Sequence, residues 1–370
     1  MMEYNIPILP LKYDLETKEV LKQLGRTNRK LAELKGVAHT IPNEHILIST
    51  LTLQEAKDSS EVENIVTTQD DIYKADLDLK QSIINASAKE VMNYREALQR
   101  GFALVRQNKL LTSNTIKEIQ ACLESNKAGF RSLPGTALKR NDGVVVYTPP
   151  QTLDEITQLM DNLERFINDE SLCDLDPLIK MTIIHHQFES IHPFYDGNGR
   201  TGRILIILYL VLSELLDLPI LYLSRYITHH KGEYYRLIQS IRDKGDDNQA
   251  EWEQWILFML KGVEQTATDT IRLVKGISIL MSEYKIKLRG MLGKFYRHEL
   301  LNNLFFHPYT KVEYLERDMM VTRQTAAKYL DKIAETGLLN KVKMGKHNYY
   351  INVQLCNLFM NNAYVNEQGS

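Results

Sequence analysis

Three cysteines in 370 residues, Cys122, Cys173 and Cys356, are too few and too scattered for a disulfide scaffold, and none forms a Cys-x-x-Cys pair. That sparse, odd count suits a reducing compartment. A charge excess is also missing: 45 Lys and Arg against 47 Asp and Glu leave a formal net charge of −2. No whole-protein field therefore draws the chain to nucleic acid or to an anionic membrane. Long apolar runs are absent too. The longest, Ile204 to Leu212, is far short of the ~20 residues a membrane span needs, and the opening Met1-Met-Glu-Tyr-Asn-Ile-Pro7 has no basic run leading into an apolar one. The expectation is a cytoplasmic protein with no membrane partner. No His-Glu-x-x-His is present for zinc, and Pro193 interrupts the His185, Glu189, His192 spacing. Asp196-Gly-Asn-Gly could open a calcium loop, but its twelfth position is Ile207 where a bidentate glutamate is required.

What is present is a polar cluster, His192-Pro-Phe-Tyr-Asp-Gly-Asn-Gly-Arg-Thr-Gly-Arg203, followed at once by the all-apolar run. A segment apolar on every side reads as a helix at the centre of a domain, so the cluster is a loop feeding a buried helix. The first-turn amides of that helix lack partners within it, and its dipole favours an anion there. Gly197 and Gly199 let the backbone turn N–H groups inward as a nest around phosphate, with Asn198 between them. Arg200 and Arg203, three apart, can face one anion with planar forks. A lone carboxylate, Asp196, among phosphate binders is best explained by a shared magnesium ion. His192 lies close enough to take a proton. Together they ask for a nucleotide phosphate, magnesium and a hydroxyl to deprotonate, which is phosphoryl or nucleotidyl transfer.

The run from His192 to Arg203 matches every fixed position of the Fic family signature, His-Pro-Phe-x-Asp-Gly-Asn-Gly-Arg-x-x-Arg, and the chain is identified by it as resembling that family. The resemblance implies transfer of AMP from ATP to a Ser, Thr or Tyr hydroxyl of a target protein, and of the chain itself. It also implies His192 as general base, Asp196 as magnesium ligand, Gly197, Asn198 and Gly199 as phosphate cradle, Arg200 and Arg203 as triphosphate clamp, and Phe194 as a core anchor. Upstream, Ser59-Ser-Glu-Val-Glu-Asn64 resembles the family's inhibitory motif, with Ser59, Glu63 and Asn64 in the fixed places. A carboxylate held on Arg203 would occupy the guanidinium meant for the γ-phosphate.

In chain order, helical spacing begins near Leu15. A second helix starts after Asn43 and runs towards Ala56, and others are expected over about 80–99, 113–124, 153–166 and 176–189. Residues 130–150 read as a hairpin around Lys139-Arg-Asn-Asp-Gly143, and it resembles the family's flap, which pins a target segment as an added strand. Tyr234 and Tyr235 face different sides of a helix, so one can stack on adenine while the other packs. Trp252 and Trp255 open a long helix to about residue 282, and Gly290 with Gly293 marks a junction. Beyond it, helices at 295–306, 310–316 and 322–337 followed by a hairpin resemble a winged helix-turn-helix. From Thr310 to Tyr350, eight Lys and Arg face five acids, which leaves DNA binding, homodimerisation and docking of the target all open for that module.

The expected architecture is mainly α: an N-terminal helical region with the inhibitory motif (1–110), a Fic-type helical bundle with a β-hairpin flap (111–284) and a winged helix (285–370). Two other functions remain open. One is removal of AMP from a modified protein, or transfer of another phosphate-containing group. The other is a DNA-binding regulator that modifies only itself.

Overall fold

A computed structural model describes residues 4–76, 85–140, 142–245, 247–344 and 347–364. The chain is mainly helical, with short strands, and divides into two compact units. The first comprises Met1–Lys35, Thr52–Val66 and Lys89–Ala267; the second comprises Gly36–Leu51, Thr67–Ala88 and Thr268–Ser370.

Helices in order are α1 (Lys18–Ala38), α2 (Glu44–Val62), α3 (Gln69–Asp76), α4 (Ala86–Asn108) and α5 (Ser113–Glu124). Strands β1 (Leu138–Lys139) and β2 (Val145–Tyr147) follow. Next come α6 (Leu153–Asn168), α7 (Pro177–Ile191), α8 (Asn198–Leu212), α9 (Ser224–His229), α10 (Lys231–Lys244) and α11 (Gln249–Leu292). In the first unit α7 and α8 pack against each other at the centre, and nearly every side chain of both is buried, as two runs without a polar face require. Helix α7 starts cleanly because the Asp176 side chain accepts the Leu178 N–H at 2.8 Å and Pro177 has no N–H to satisfy. Around the pair lie α5, α6, α10 and the first half of α11, whose Trp255 donates its indole N–H to the Thr182 carbonyl at 2.9 Å. The hairpin forms where expected: β1 and β2 are antiparallel, with Leu138 opposite Tyr147. Its turn needs Gly143 at φ 81 and is tightened by Asp142, which accepts the Val144 N–H at 3.1 Å. Asn141 of that turn lies outside the described residues.

The second unit holds α12 (His298–Phe306), β3 (Tyr309–Lys311), α13 (Val312–Met319), α14 (Arg323–Glu335), β4 (Asn340–Met344), β5 (His347–Ile351) and α15 (Val353–Tyr364), with α3 and the last part of α11. Three helices and an antiparallel sheet in the order β3-β5-β4 make the winged-helix sequence of elements. Residue Thr310, expected to begin a helix, instead pairs with Tyr350 in a strand, and the helix starts at Val312. The long helix also outruns its expected end near residue 282. Ile277, Met281, Tyr284, Leu288 and Leu292 keep one buried face going until Gly293, at φ 53, stops it. The start of the helix expected at 80–99 falls partly on residues outside the described set, and α4 runs on to Asn108.

Candidate functional site

Helix α7 ends on His192 in the left-handed conformation (φ 49, ψ 59), and α8 begins after Gly197, which is left-handed at φ 76. Four residues, Pro193 to Asp196, join these two caps. Asn198 closes the loop on itself, since its Oδ1 accepts the Phe194 N–H at 2.9 Å and its Nδ2 donates to the Phe194 carbonyl at 2.8 Å. Its side chain is thereby fully used. Phe194 is fully buried against the rings of Phe130 and Phe188, at 5.4 and 6.3 Å. Asp196 stays exposed, and one of its oxygens takes the Gly197 N–H at 2.7 Å.

Neither arginine of the loop points to water. Arg203, 1% exposed, donates from Nε to Ser59 Oγ at 2.8 Å, and from Nη2 to the Ser59 carbonyl at 3.0 Å and to Glu63 Oε1 at 2.8 Å. Arg200 is held by a different pair, Glu90 at 2.6 Å and Glu124 at 2.7 Å, so the two guanidiniums are not brought onto one anion. Instead Arg200 ties the start of α8 to α4 and α5. Burial pushes the Glu124 carboxyl up, and only part of that is offset by Arg200.

Ser59 belongs to the last turn of α2, Glu63 is the first residue beyond that helix, and Asn64 next to it is left-handed (φ 62) while accepting from Lys231 Nζ at 2.9 Å. Glu63 lies over the first turn of α8. A Cβ built on Gly199 would overlap its Oε1, so only glycine admits that carboxylate so close to the helix backbone. Burial alone would raise the Glu63 carboxyl, but the charge and hydrogen bond of Arg203, helped by Arg200 and Lys231, hold it below its ordinary value. The amides and dipole of the α8 start therefore already face an anion, one supplied by the chain itself.

Three family models align along the chain in order: Fic/DOC family N-terminal over residues 21–103, Fic/DOC family over residues 110–210, and protein adenylyltransferase SoFic-like, C-terminal domain, over residues 280–355. The chain belongs to the Fic family. Among similar proteins, protein adenylyltransferase Fic of Drosophila erecta is 30% identical over 121 residues, 32% of this chain and 24% of that protein. Protein adenylyltransferase fic-1 of Caenorhabditis briggsae is 37% identical over 65 residues, 18% of this chain and 12% of that one. The match thus spans a quarter or less of either relative. A Fic family protein from Desulfovibrio desulfuricans G20 superposes with a TM-score of 0.57 at 18% identity, covering 93% of this chain and 98% of that one. Fic-1 from C. elegans does so at 0.51 and 18%, covering 69% and 73%. At those identities the likeness is one of fold.

Around the Fic loop lie side chains that no local pattern in the sequence marks. The His192 ring is half-buried with Nδ1 inward, and burial, then the charges of Arg242 and Arg131, bring its pKa down to about 4. The imidazole is consequently neutral at ordinary pH. Glu189, in the last turn of α7, is deep enough for burial to push its carboxyl up to about 7, with Arg203 opposing. Gly202 gives it room, since a Cβ there would come within 2.8 Å of Glu189 Oε1. Arg242 donates to Ser190 Oγ at 3.1 Å and stacks over the Tyr147 ring at 4.1 Å. Tyr234 is buried with its hydroxyl 2.7 Å from His185 Nε2, whereas Tyr235 is 44% exposed. Tyr235 is the one of the two whose ring face is open to a ligand. His185 and His186 pack against Trp255 and Trp252, and burial keeps both neutral.

Proposed function

We propose that this Fic chain transfers AMP from ATP to a hydroxyl of a target protein, and that Glu63 restrains it. The activity named for the Drosophila and nematode relatives supports this reading. So does one observation above the others: a carboxylate of the chain sits on Arg203, over the amides that open α8. A site that must be filled by a built-in anion is a site for anions.

In this reading Glu63 withdraws and Arg203 takes the outer phosphate of the nucleotide, while the amides of Gly199 and Arg200 face the inner phosphates. Asn198 acts through the loop-closing bonds of its side chain to Phe194 rather than by reaching the phosphates. Arg200 serves the clamp only if Glu90 and Glu124 release it; otherwise it fixes the helix start. Tyr235 offers the ring for the adenine, and Tyr234 holds the helix behind it. The target hydroxyl oxygen attacks the α-phosphorus, its proton passes to neutral His192, and pyrophosphate departs on the Arg203 side.

Magnesium suits the residues present. Among the described residues no group of three or more His, Cys, Asp or Glu could hold a metal with protein ligands alone. Asp196 offers one exposed carboxylate, and magnesium is commonly bound by one or two carboxylates together with substrate phosphates and water. When bound, the ion would neutralise phosphate charge beside Asp196.

The test is labelling with the Glu63→Gly chain. Protein labelled by ATP carrying its label on the α-phosphate supports AMP transfer, whereas labelling from the γ-phosphate alone overturns it.

A further inference from the structure

The conformation of His192 is costly without support. A left-handed, non-glycine cap at the end of α7 leaves the last carbonyls of the helix without helical partners. One residue from a distant stretch bonds the carbonyl of the last helical residue, that of the cap and that of the residue after it. Arg131 donates from its backbone N–H to Pro193 O at 2.8 Å, from Nε to His192 O at 2.8 Å, and from Nη2 to Ile191 O at 3.3 Å. It is 1% exposed, and the hydrogen bonds of its guanidinium end on backbone carbonyls. Its charge is thus directed to backbone carbonyls, at the negative end of a helix dipole.

Two more bonds extend the contact. The Tyr195 hydroxyl, from the variable position of the motif, accepts the N–H groups of Ser132 and Leu133 at 3.0 and 3.1 Å. A few residues on, Gly135 N–H meets Gln151 Oε1 at 2.7 Å, and the Gln151 amide returns to the Thr136 carbonyl at 3.0 Å. Residues 130–136 are therefore bound at one end to the backbone of His192 and lead directly into the β1–β2 hairpin. From the other side of the hairpin, the Tyr147 hydroxyl donates to Ser190 O at 2.8 Å.

We propose that Arg131 is a positioning residue. By gripping the carbonyls of residues 191 to 193 it fixes the left-handed turn at His192, and with Tyr195 it sets the distance between the imidazole and the hairpin where a target segment would lie. This rests on the reading of His192 as the base. Nucleotide affinity lies with other residues, so the loss of Arg131 should fall on turnover. A misplacement on the order of 1 Å costs about 10²-fold in such steps.

The experiment places Arg131→Met and Arg131→Lys in the Glu63→Gly chain and measures kcat for AMP transfer, KM for ATP and thermal midpoint. The expected result is a kcat lower by about 10- to 100-fold for methionine, KM for ATP within about twofold, and partial recovery with lysine, whose ammonium can still cap a carbonyl. If both variants are folded and kcat is unchanged, or if kcat and KM worsen together, the proposal is overturned. Should methionine fail to fold, the lysine variant and Tyr195→Phe carry the same test. A second arm does not depend on activity. The imidazole NMR signals of His192, identified by their loss in His192→Ala, should move in Arg131→Lys while those of His185 and His186 stay. Stationary His192 signals overturn the positioning role even if the chain transfers nothing, and the absence of AMP transfer with moved signals would instead overturn the functional reading.

Discussion

Replacing Glu63 with glycine removes one charge-assisted hydrogen bond from Arg203 and leaves the helix end intact, because the next residue, Asn64, already holds the left-handed turn. A hydrogen bond to a charged group contributes about 1.5–3 kcal/mol. The Glu63 side chain is 35% exposed, so screening lowers that to about 1–2 kcal/mol. A bias of that size keeps the open form at about one part in 5 to 30, and the apparent nucleotide affinity and transfer rate fall by the same factor. Glu63→Gly should therefore raise transfer by about 5- to 30-fold at sub-saturating ATP. Ser59, which takes two bonds from the same guanidinium, remains in place and keeps Arg203 oriented. The assay is initial-rate incorporation of α-labelled ATP into protein, run beside calorimetric titration of a non-hydrolysable analogue. Unchanged or lower transfer, with nucleotide affinity no tighter, refutes the inhibitory reading. The carboxyl is held below its ordinary value, so the latch is complete above that value and is lost only as pH falls through the depressed one. Across the neutral range the activation factor should not vary with pH.

Other expectations follow from the same geometry. His192→Ala should keep ATP binding within about threefold, or about 0.7 kcal/mol, and abolish transfer; surviving transfer measured by labelling would remove the base from the mechanism. Asp196→Asn should weaken magnesium dependence of nucleotide binding, seen as titration curves that no longer differ with and without the ion; an unaltered magnesium response would assign the metal elsewhere. Glu55 is buried, bonded by Tyr94, Ser224 N–H and Ser224 Oγ, and pushed up to about 8, so its contribution to stability is full at low pH and lost as pH rises through 8. Urea midpoints should drop between about pH 4.5, the ordinary carboxyl value, and pH 8, and Glu55→Gln should flatten that drop; an equal slope in both proteins would contradict it. For the C-terminal unit, Arg317, Arg323 and Lys341 already pair with Asp318, Glu313 and Asp331. Titration of the full chain with duplex DNA at two salt concentrations should show little salt-dependent binding, and a steep slope would restore DNA as a partner.

The parts of this molecule legible in the sequence are those whose signal is local. A polar loop before an all-apolar run announced the α7–α8 junction, the Asp-Gly turn announced the hairpin, and Thr322 with Gly337 bracketed α14. Less legible was α2, whose C-terminal half is buried on several faces and so shows no clean amphipathic rhythm. The helix expected to run towards Ala56 continues to Val62, so the run from Ser59 to Asn64 is its closing turn followed by a two-residue turn. Strand β3 was hidden because it has three residues, merges into α13 and finds its partner in β5 some forty positions later. Arg200 was expected beside Arg203 on one phosphate group from its spacing and from the family signature, and only the fold supplies the glutamates, Glu90 and Glu124, that it bonds. Arg131 and Glu189 had no signature at all. What distinguishes them is burial beside His192 and Arg203, and burial of a lone charged side chain is decided by contacts that sequence spacing does not encode.

The central claim is that the α8 start receives the phosphates of ATP while His192 frees a hydroxyl to attack the innermost one. Its most direct test is parallel incubation of the Glu63→Gly chain with magnesium and ATP labelled at the α- or at the γ-phosphate, against a protein lysate and against itself. The account predicts covalent label from the α-position only, absent when His192→Ala is added. Label from the γ-position, or α-label that persists without His192, would contradict it.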